Sequence, residues 1–166
     1  MSADAPQIIH ANSSEEINEA ATTLLAQANR KVLLFGPRLD LPVFNSNDTY
    51  EDLARLIAGG RHNQIRILIG DERFFLAHNR RLLQLCQRFS SYVKARRIPS
   101  EINAVDDLFI VVDDRAYLHQ SHFDTPVAVA NLGARGRATL FTRRFEELWE
   151  QSEPIAEIST IGLVGH

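Results

Sequence analysis

The 166-residue sequence predicts an α/β fold, a mixed β-sheet flanked by helices on both faces. Three observations carry this reading. Leu108-Phe109-Ile110-Val111-Val112 places five consecutive apolar residues between Asp106-Asp107 and Asp113-Asp114, the pattern of a strand buried on both faces at the centre of a sheet. Up to Ile98, short apolar runs alternate with amphipathic stretches, which demands crossovers and parallel pairing. After Ile102, apolar runs follow one another across tight turns, which suits antiparallel hairpins.

Taken in order, residues 1–12 are polar apart from Ile8-Ile9 and read as a flexible arm. Ser13 and Glu16 form a capping box in which hydroxyl and carboxylate satisfy orphan amides. Ile17, Ala20, Ala21, Leu24, Leu25 and Ala28 then lie on one helical face, so a helix is expected over 14–28. Residues 31–35 form a buried strand closed by Gly36-Pro37, and 38–46 read as a loop. Asp48-Thr49-Tyr50-Glu51 opens a second helix that turns Tyr50, Leu53, Ala54, Leu56 and Ile57 inward and stops at Gly59-Gly60. A strand over 64–69 ends at Gly70-Asp71. A third helix is expected over 76–89, with Leu76, Leu83, Cys86 and Phe89 on one stripe.

Residues 92–98 read as a strand near an edge, stopped by Pro99. Beyond the central strand, 115–119 supply its hairpin partner and 127–132 a further strand. Gly133 and Gly136 mark a turn, and the last helix is expected over 142–151 with Phe145, Leu148 and Trp149 on one side. The chain thus reads as one α/β domain over 13–152, followed by a tail over 153–166. The tail's Ile155, Ile158, Ile161, Leu163 and Val164, like Phe74-Phe75, either cover an interface or finish the core.

Composition narrows the function classes. A net charge of −3 provides no global basic field for nucleic acid. The single cysteine, Cys86, excludes an internal disulfide and fits a reducing compartment, so a cytoplasmic location is expected. No apolar run approaches the ~20 residues of a membrane span, and the first seven residues are not a signal peptide. Gly133-Ala134-Arg135-Gly136 lacks the strand-to-helix context of a phosphate loop, and no cofactor is expected.

Three stretches in this order resemble one repeat unit of the phospholipase D superfamily: Gln64-Ile65-Arg66-Ile67-Leu68-Ile69, the run from Leu108 to Asp114, and Phe145-Glu146-Glu147-Leu148-Trp149. The likeness spans residues 13–152, and the central run resembles the strand that carries the family's HxKxxxxD motif. The resemblance implies a histidine nucleophile toward phosphorus, a lysine that holds phosphoryl oxygens and an aspartate that orients the histidine. With the motif aspartate on Asp113, the histidine position is Asp106, the lysine position is Leu108, and the family's later Gly-Ser pair falls on Gln120 and Ser121. Only Asp113 and Ser121 remain as remnants. Carboxylates at Asp106 and Asp113 repel a phosphate, so the expectation is a single degenerate unit without the family's reaction. Units of this fold pair around a shared cleft, which implies a homodimer or a protein partner. Similar uncharacterised bacterial domains occur beside acetyltransferase domains, which implies an accessory role.

Two other constellations bear on function. His119, His122 and Asp124 form a His-x-x-His-x-Asp run; it reads as a polar hairpin tip, with no metal expected, and alternatively as the source of a relocated nucleophile, His119 or His122, within reach of Asp113. Arg80, Arg81, Arg96, Arg97, Arg143 and Arg144 concentrate positive charge in two places. They are the candidate ligand residues for an anionic, phosphate-bearing molecule, and a third reading is nucleic-acid binding through them. The favoured reading is a non-catalytic interaction or ligand-binding module.

Overall fold

The computed structural model describes residues 7–102, 105–155 and 158. Among the described residues five numbered helices and eight strands follow as β1 (Ile8–Ala11), α1 (Ser14–Ala26), β2 (Lys31–Gly36), a 3₁₀ turn (Pro42–Asn45), α2 (Asn47–Ala58), β3 (Gln64–Ile69), α3 (Glu72–His78), α4 (Arg80–Arg88), β4 (Val93–Arg97), β5 (Leu108–Val112), β6 (Ala116–Gln120), β7 (Ala128–Asn131), α5 (Arg135–Glu150) and β8 (Glu153–Pro154). They build one sheet in the order β1-β7-β6-β5-β2-β3-β4-β8. Strands β2, β3 and β4 run parallel, and every other pairing is antiparallel. The mixed sheet read from the sequence is therefore present, and β5 occupies its middle with all five residues buried.

Alternation along β5 divides the core. Leu108, Ile110 and Val112 join the larger apolar cluster with the inner faces of α1, α2 and α4. Phe109 and Val111 point the other way, into a smaller cluster with Phe35, Tyr117, Phe141 and Phe145. Helix α5 covers that second face through Ala138, Phe141 and Phe145, with Ile98, Ile102 and Val105 packed on the same cluster. Phe35 stacks on Phe109 with ring centroids 4.3 Å apart, which fixes β2 against β5 beneath the helix.

Several expectations are corrected. Ile8–Ala11, read as part of an arm, forms an edge strand because Ile9 and Ala11 reach the core and the backbone pairs with β7. The second helix is capped by Ser46, whose Oγ accepts the Thr49 N–H, so it begins before Asp48. The expected third helix is two helices: Asn79, at φ −102° and ψ 52°, leaves helical geometry and donates its Nδ2–H to the Leu39 carbonyl at 2.8 Å. The last helix begins at Arg135 and contains Gly136, so only Gly133 lies in the bend that precedes it. Gly136 costs the helix ~1 kcal/mol, and burial of Ala138 and Phe141 offsets it. In the expected tail, Glu153–Pro154 pairs with β4 and Ile155 is buried; Ile161, Leu163 and Val164 lie outside the described residues.

Candidate functional site

The direction of β5 decides where its flanking carboxylates stand. Because it runs antiparallel to β2, Asp113-Asp114 lie beside the amino ends of the parallel strands and Asp106-Asp107 beside their carboxyl ends. Ligands of open α/β sheets collect at carboxyl ends, which is the end of Asp106-Asp107 and not of Asp113-Asp114.

Asp113 and Asp114 adopt φ of 55° and 57°, and the Arg115 N–H closes on the Val112 carbonyl at 3.1 Å, the I′ geometry of a tight hairpin. The Asp113 carboxylate accepts the backbone N–H groups of Asn29, Arg30 and Lys31 at 3.0, 2.8 and 2.9 Å. Its capacity is spent on holding the start of β2. Asp114 pairs with the Lys31 ammonium at 2.9 Å. An open groove of about 740 Å³ at this end is edged by Gln7, Asn29, Asp113, Arg115 and Arg135.

At the other end Asp106 is exposed, whereas Leu108 is fully buried in the helix-covered core. A Cβ on Gly36 would come within 3.3 Å of the Leu108 side chain, so glycine permits the close approach of β2 to β5. Asp107 faces α5. It receives Arg144 through two N–H groups at 2.6 and 2.8 Å, and the His119 Nε2 lies 2.9 Å from its Oδ2. The guanidinium rests over the rings of Phe35 and Phe109 at 5.0 and 5.8 Å from their centroids. Burial raises the Asp107 carboxyl, but the bonds from His119 and Arg144 outweigh it and hold the group well below the ordinary carboxylate range.

The histidines do not converge. His119 pairs across the strands with Phe109, roughly 13 Å along the strand from Asp113, so its partner is Asp107 and the expected reach to Asp113 is corrected. His122 and Ser121 stand exposed in the loop after β6. Among the described residues no group of three or more His, Cys, Asp or Glu could hold a metal.

Four of the six candidate arginines are engaged by other residues of the chain. Arg80 is exposed on α4, and Arg81 leans over the Tyr50 ring on the α2 side. Arg96 donates to Ser152 Oγ and to the Ser152 carbonyl at 2.6 and 2.7 Å. Arg97 pairs with Glu72 at 3.0 Å and with Glu153. Arg143 is exposed on α5, and Arg144 is committed to Asp107. Cys86 is an inert core thiol, pushed by burial up to about 12.

A second groove, of about 240 Å³, opens beyond the carboxyl end of β2, between Leu39, Asp40, Pro42 and Asn45 on one side and His78 and Asn79 of the helix break on the other. Sequence reasoning passed over it because its parts come from a loop and from the interruption of an expected helix. A buried asparagine in place of a helical apolar position was the available signal.

The strand order, the helix α5 laid on one face and the split core match a phospholipase D-like fold, and solved structures agree. The chain is similar to Nuc of Salmonella typhimurium, a phospholipase D family member, at TM-score 0.61 and 14% identity, covering 90% of this chain and 97% of that one. It is similar to NucT of Helicobacter pylori at TM-score 0.57 and 9% identity, covering 89% and 99%. It also matches TrmBL2, an archaeal chromatin protein with a novel mode of DNA binding, at TM-score 0.64 and 12% identity over 89% of this chain; there it spans about half of the longer chain, 53%. No curated protein matches by sequence. The chain belongs to the family described as Domain of unknown function (DUF7931), which matches residues 13–161.

Proposed function

We propose that the chain is a non-catalytic phospholipase D-like module that binds a ligand or a partner. One observation carries this reading: the three positions that resemble the family's HxKxxxxD motif are an exposed acid, a buried leucine and an aspartate engaged by three backbone amides. A phosphoryl group needs a nucleophile and a cation at those places. Leu108 is 0% exposed and supplies neither. The module would act in a reducing, cytoplasmic setting as a homodimer or docked on another protein, such as an acetyltransferase. No helix among the described residues is long and apolar enough to cross a membrane.

A second reading has a specific observation behind it. His119 beside Asp107 and Arg144 reproduces, on different residues, an imidazole oriented by a carboxylate next to a cation. Against it, the Arg144 fork is closed on the same carboxylate and stacked on two rings, which leaves it little freedom to engage a substrate. The internal partners of Arg96, Arg97 and Arg144 weigh against nucleic-acid binding through these arginines.

Hydrolysis of bis(p-nitrophenyl) phosphate by the purified chain and by His119→Ala tests the assignment. No hydrolysis above background in either is expected. Turnover by the wild type that disappears in the variant would replace the proposal with the second reading.

A further inference from the structure

The net charge of −3 hides a segregation. Residues 73–100 carry seven of the chain's 18 Lys and Arg and none of its 21 Asp and Glu. Arg96 and Arg97, near the end of that stretch, are taken up by Ser152, Glu72 and Glu153. Arg73, Arg80, Arg81, Arg88 and Lys94 have no carboxylate partner among the described residues. The arginine ion pairs there belong to Arg30, Arg38, Arg55, Arg66, Arg97 and Arg144, and Lys94 donates to the Ser90 carbonyl at 3.4 Å.

Helix α4 lines up three of these cations. Its Leu82, Leu85 and Cys86 are buried in the larger apolar cluster. At roughly 100° per residue, Arg80, Arg81, Gln84, Gln87 and Arg88 fall within a stripe of roughly 120° on the opposite side. All but the half-buried Arg81 are exposed. The stripe is a row of N–H donors and positive charge that no acid interrupts.

Tyr50 of α2 sets two of its arginines. The Arg81 guanidinium lies 5.9 Å from the centre of the Tyr50 ring. Arg88 donates its Nη1–H to the Tyr50 hydroxyl at 3.2 Å and covers the Phe89 ring at 4.8 Å. Held by aromatic contacts, both guanidiniums keep N–H groups for a carboxylate and lose less freedom when one arrives. The acids of α2 leave them alone. Asp48 and Asp52 lie on the side of the helix away from Tyr50, with Asp52 paired to Arg55, and Glu51 receives the Asn47 amide at 3.4 Å. Arg81 and Arg88 are one heptad apart, roughly 10.5 Å of helix rise, which is the interval at which a second helix repeats the side chains of one face.

We propose that the α4 stripe, with Tyr50 at its edge, docks an acidic helix of a partner protein whose carboxylates, repeated by the heptad, are received by Arg81 and Arg88. The inference rests on the non-catalytic reading and names the class of partner that the module docks on. Two other occupants of a basic surface fit the stripe less well. A membrane surface takes up apolar side chains, and those of α4 are buried. A single-stranded nucleic acid stacks on an open aromatic face between cations, and Arg81 covers the Tyr50 ring. Arginine beside tyrosine is the composition of protein–protein hot spots.

The test is fluorescence anisotropy with a labelled alanine-based helical peptide, about three heptads long, that carries glutamates at heptad spacing. It is read against the same peptide with glutamine for glutamate, an oligothymidylate, and phosphatidylcholine vesicles containing phosphatidylserine. Saturable binding of the acidic peptide is expected with a Kd on the order of 100 μM at low ionic strength, weakening severalfold as salt screens the pairs. Arg81→Gln/Arg88→Gln is expected to bind about tenfold more weakly. Its two side chains lie at the surface, so the fold is kept, which circular dichroism checks. Arg61→Gln/Arg115→Gln removes the same charge from arginines exposed elsewhere and is expected to bind as the wild type does. No saturable binding, equal binding of the glutamine peptide, equal losses in the two double variants, or tighter binding of the oligonucleotide or the vesicles overturns the proposal. A chain that binds no acidic peptide and hydrolyses no phosphodiester loses only this inference, whereas a hydrolytic chain loses the reading beneath it.

Discussion

The carboxylate of Asp113 accepts the backbone N–H of Lys31 at 2.9 Å across 82 positions of sequence, and the neighbouring amides of Arg30 and Asn29 complete the same clasp. The residue that resembles the family's orienting aspartate is thus the pin that sets the start of β2 against the β5–β6 turn.

Asp113→Ala removes the acceptor for all three amides and leaves an alanine at positive φ. Urea denaturation is expected to show a loss of about 2–4 kcal/mol. Asp113→Asn keeps one acceptor oxygen and tolerates the left-handed backbone, so it loses less. Asp114→Asn gives up only the partly exposed pair with Lys31 and changes stability by under ~1 kcal/mol. Equal losses in Asp113→Ala and Asp114→Asn would contradict the clasp.

Asp107 gives the chain an acid-sensitive element. Its folded value lies below the unfolded one, so its stabilisation is fully present above the ordinary aspartate value of ~3.9 and is lost as pH falls from there toward the folded value. Arg144→Ala removes two of the bonds that lower it and, discounted for the partial exposure of the guanidinium, costs about 1–3 kcal/mol at neutral pH. In Asp107→Asn the fall in stability below about pH 4 is expected to be shallower than in the wild type. Thermal denaturation as a function of pH reads this directly, and parallel curves would rule it out.

A lysine placed at Leu108, the position that resembles the phospholipase D motif lysine, is expected to bring no activity. Leu108→Lys buries an ammonium in a position that is 0% exposed, at a cost above ~3 kcal/mol, without phosphodiester turnover. Leu108→Met keeps the volume and costs under ~1.5 kcal/mol. A stable, folded Leu108→Lys protein would mean that this part of the core is wet.

The parts of the fold that sequence revealed were those with a local physical cause. The Ser13 cap is realised, with Ser13 Oγ accepting the Glu16 N–H at 3.1 Å, while Glu16 Oε1 accepts the N–H of Asn12 at 2.7 Å, one residue before the cap. The apolar run 108–112 is a central strand for the reason its composition suggests. What sequence did not reveal depended on distant partners. Ile8–Ala11 becomes a strand only because β7 offers an edge. The helix over 76–89 breaks because the Leu39 carbonyl draws the Asn79 side chain. Asp107 reads as a turn-former until Arg144 and His119 are brought to it from 37 and 12 residues away.

The pairing of Ile8 with Asn131 also sets a timetable. During synthesis β1 emerges first, and its partner follows some hundred residues later, on the order of ten seconds at ordinary elongation rates. For that interval Ile8 and Ile9 are an unpaired apolar strand with both edges open, and β2 waits likewise for β5. The completed sheet is therefore a late event, and the nascent chain relies on α1, with its own cap and its own apolar face, to shelter what the second half has yet to cover.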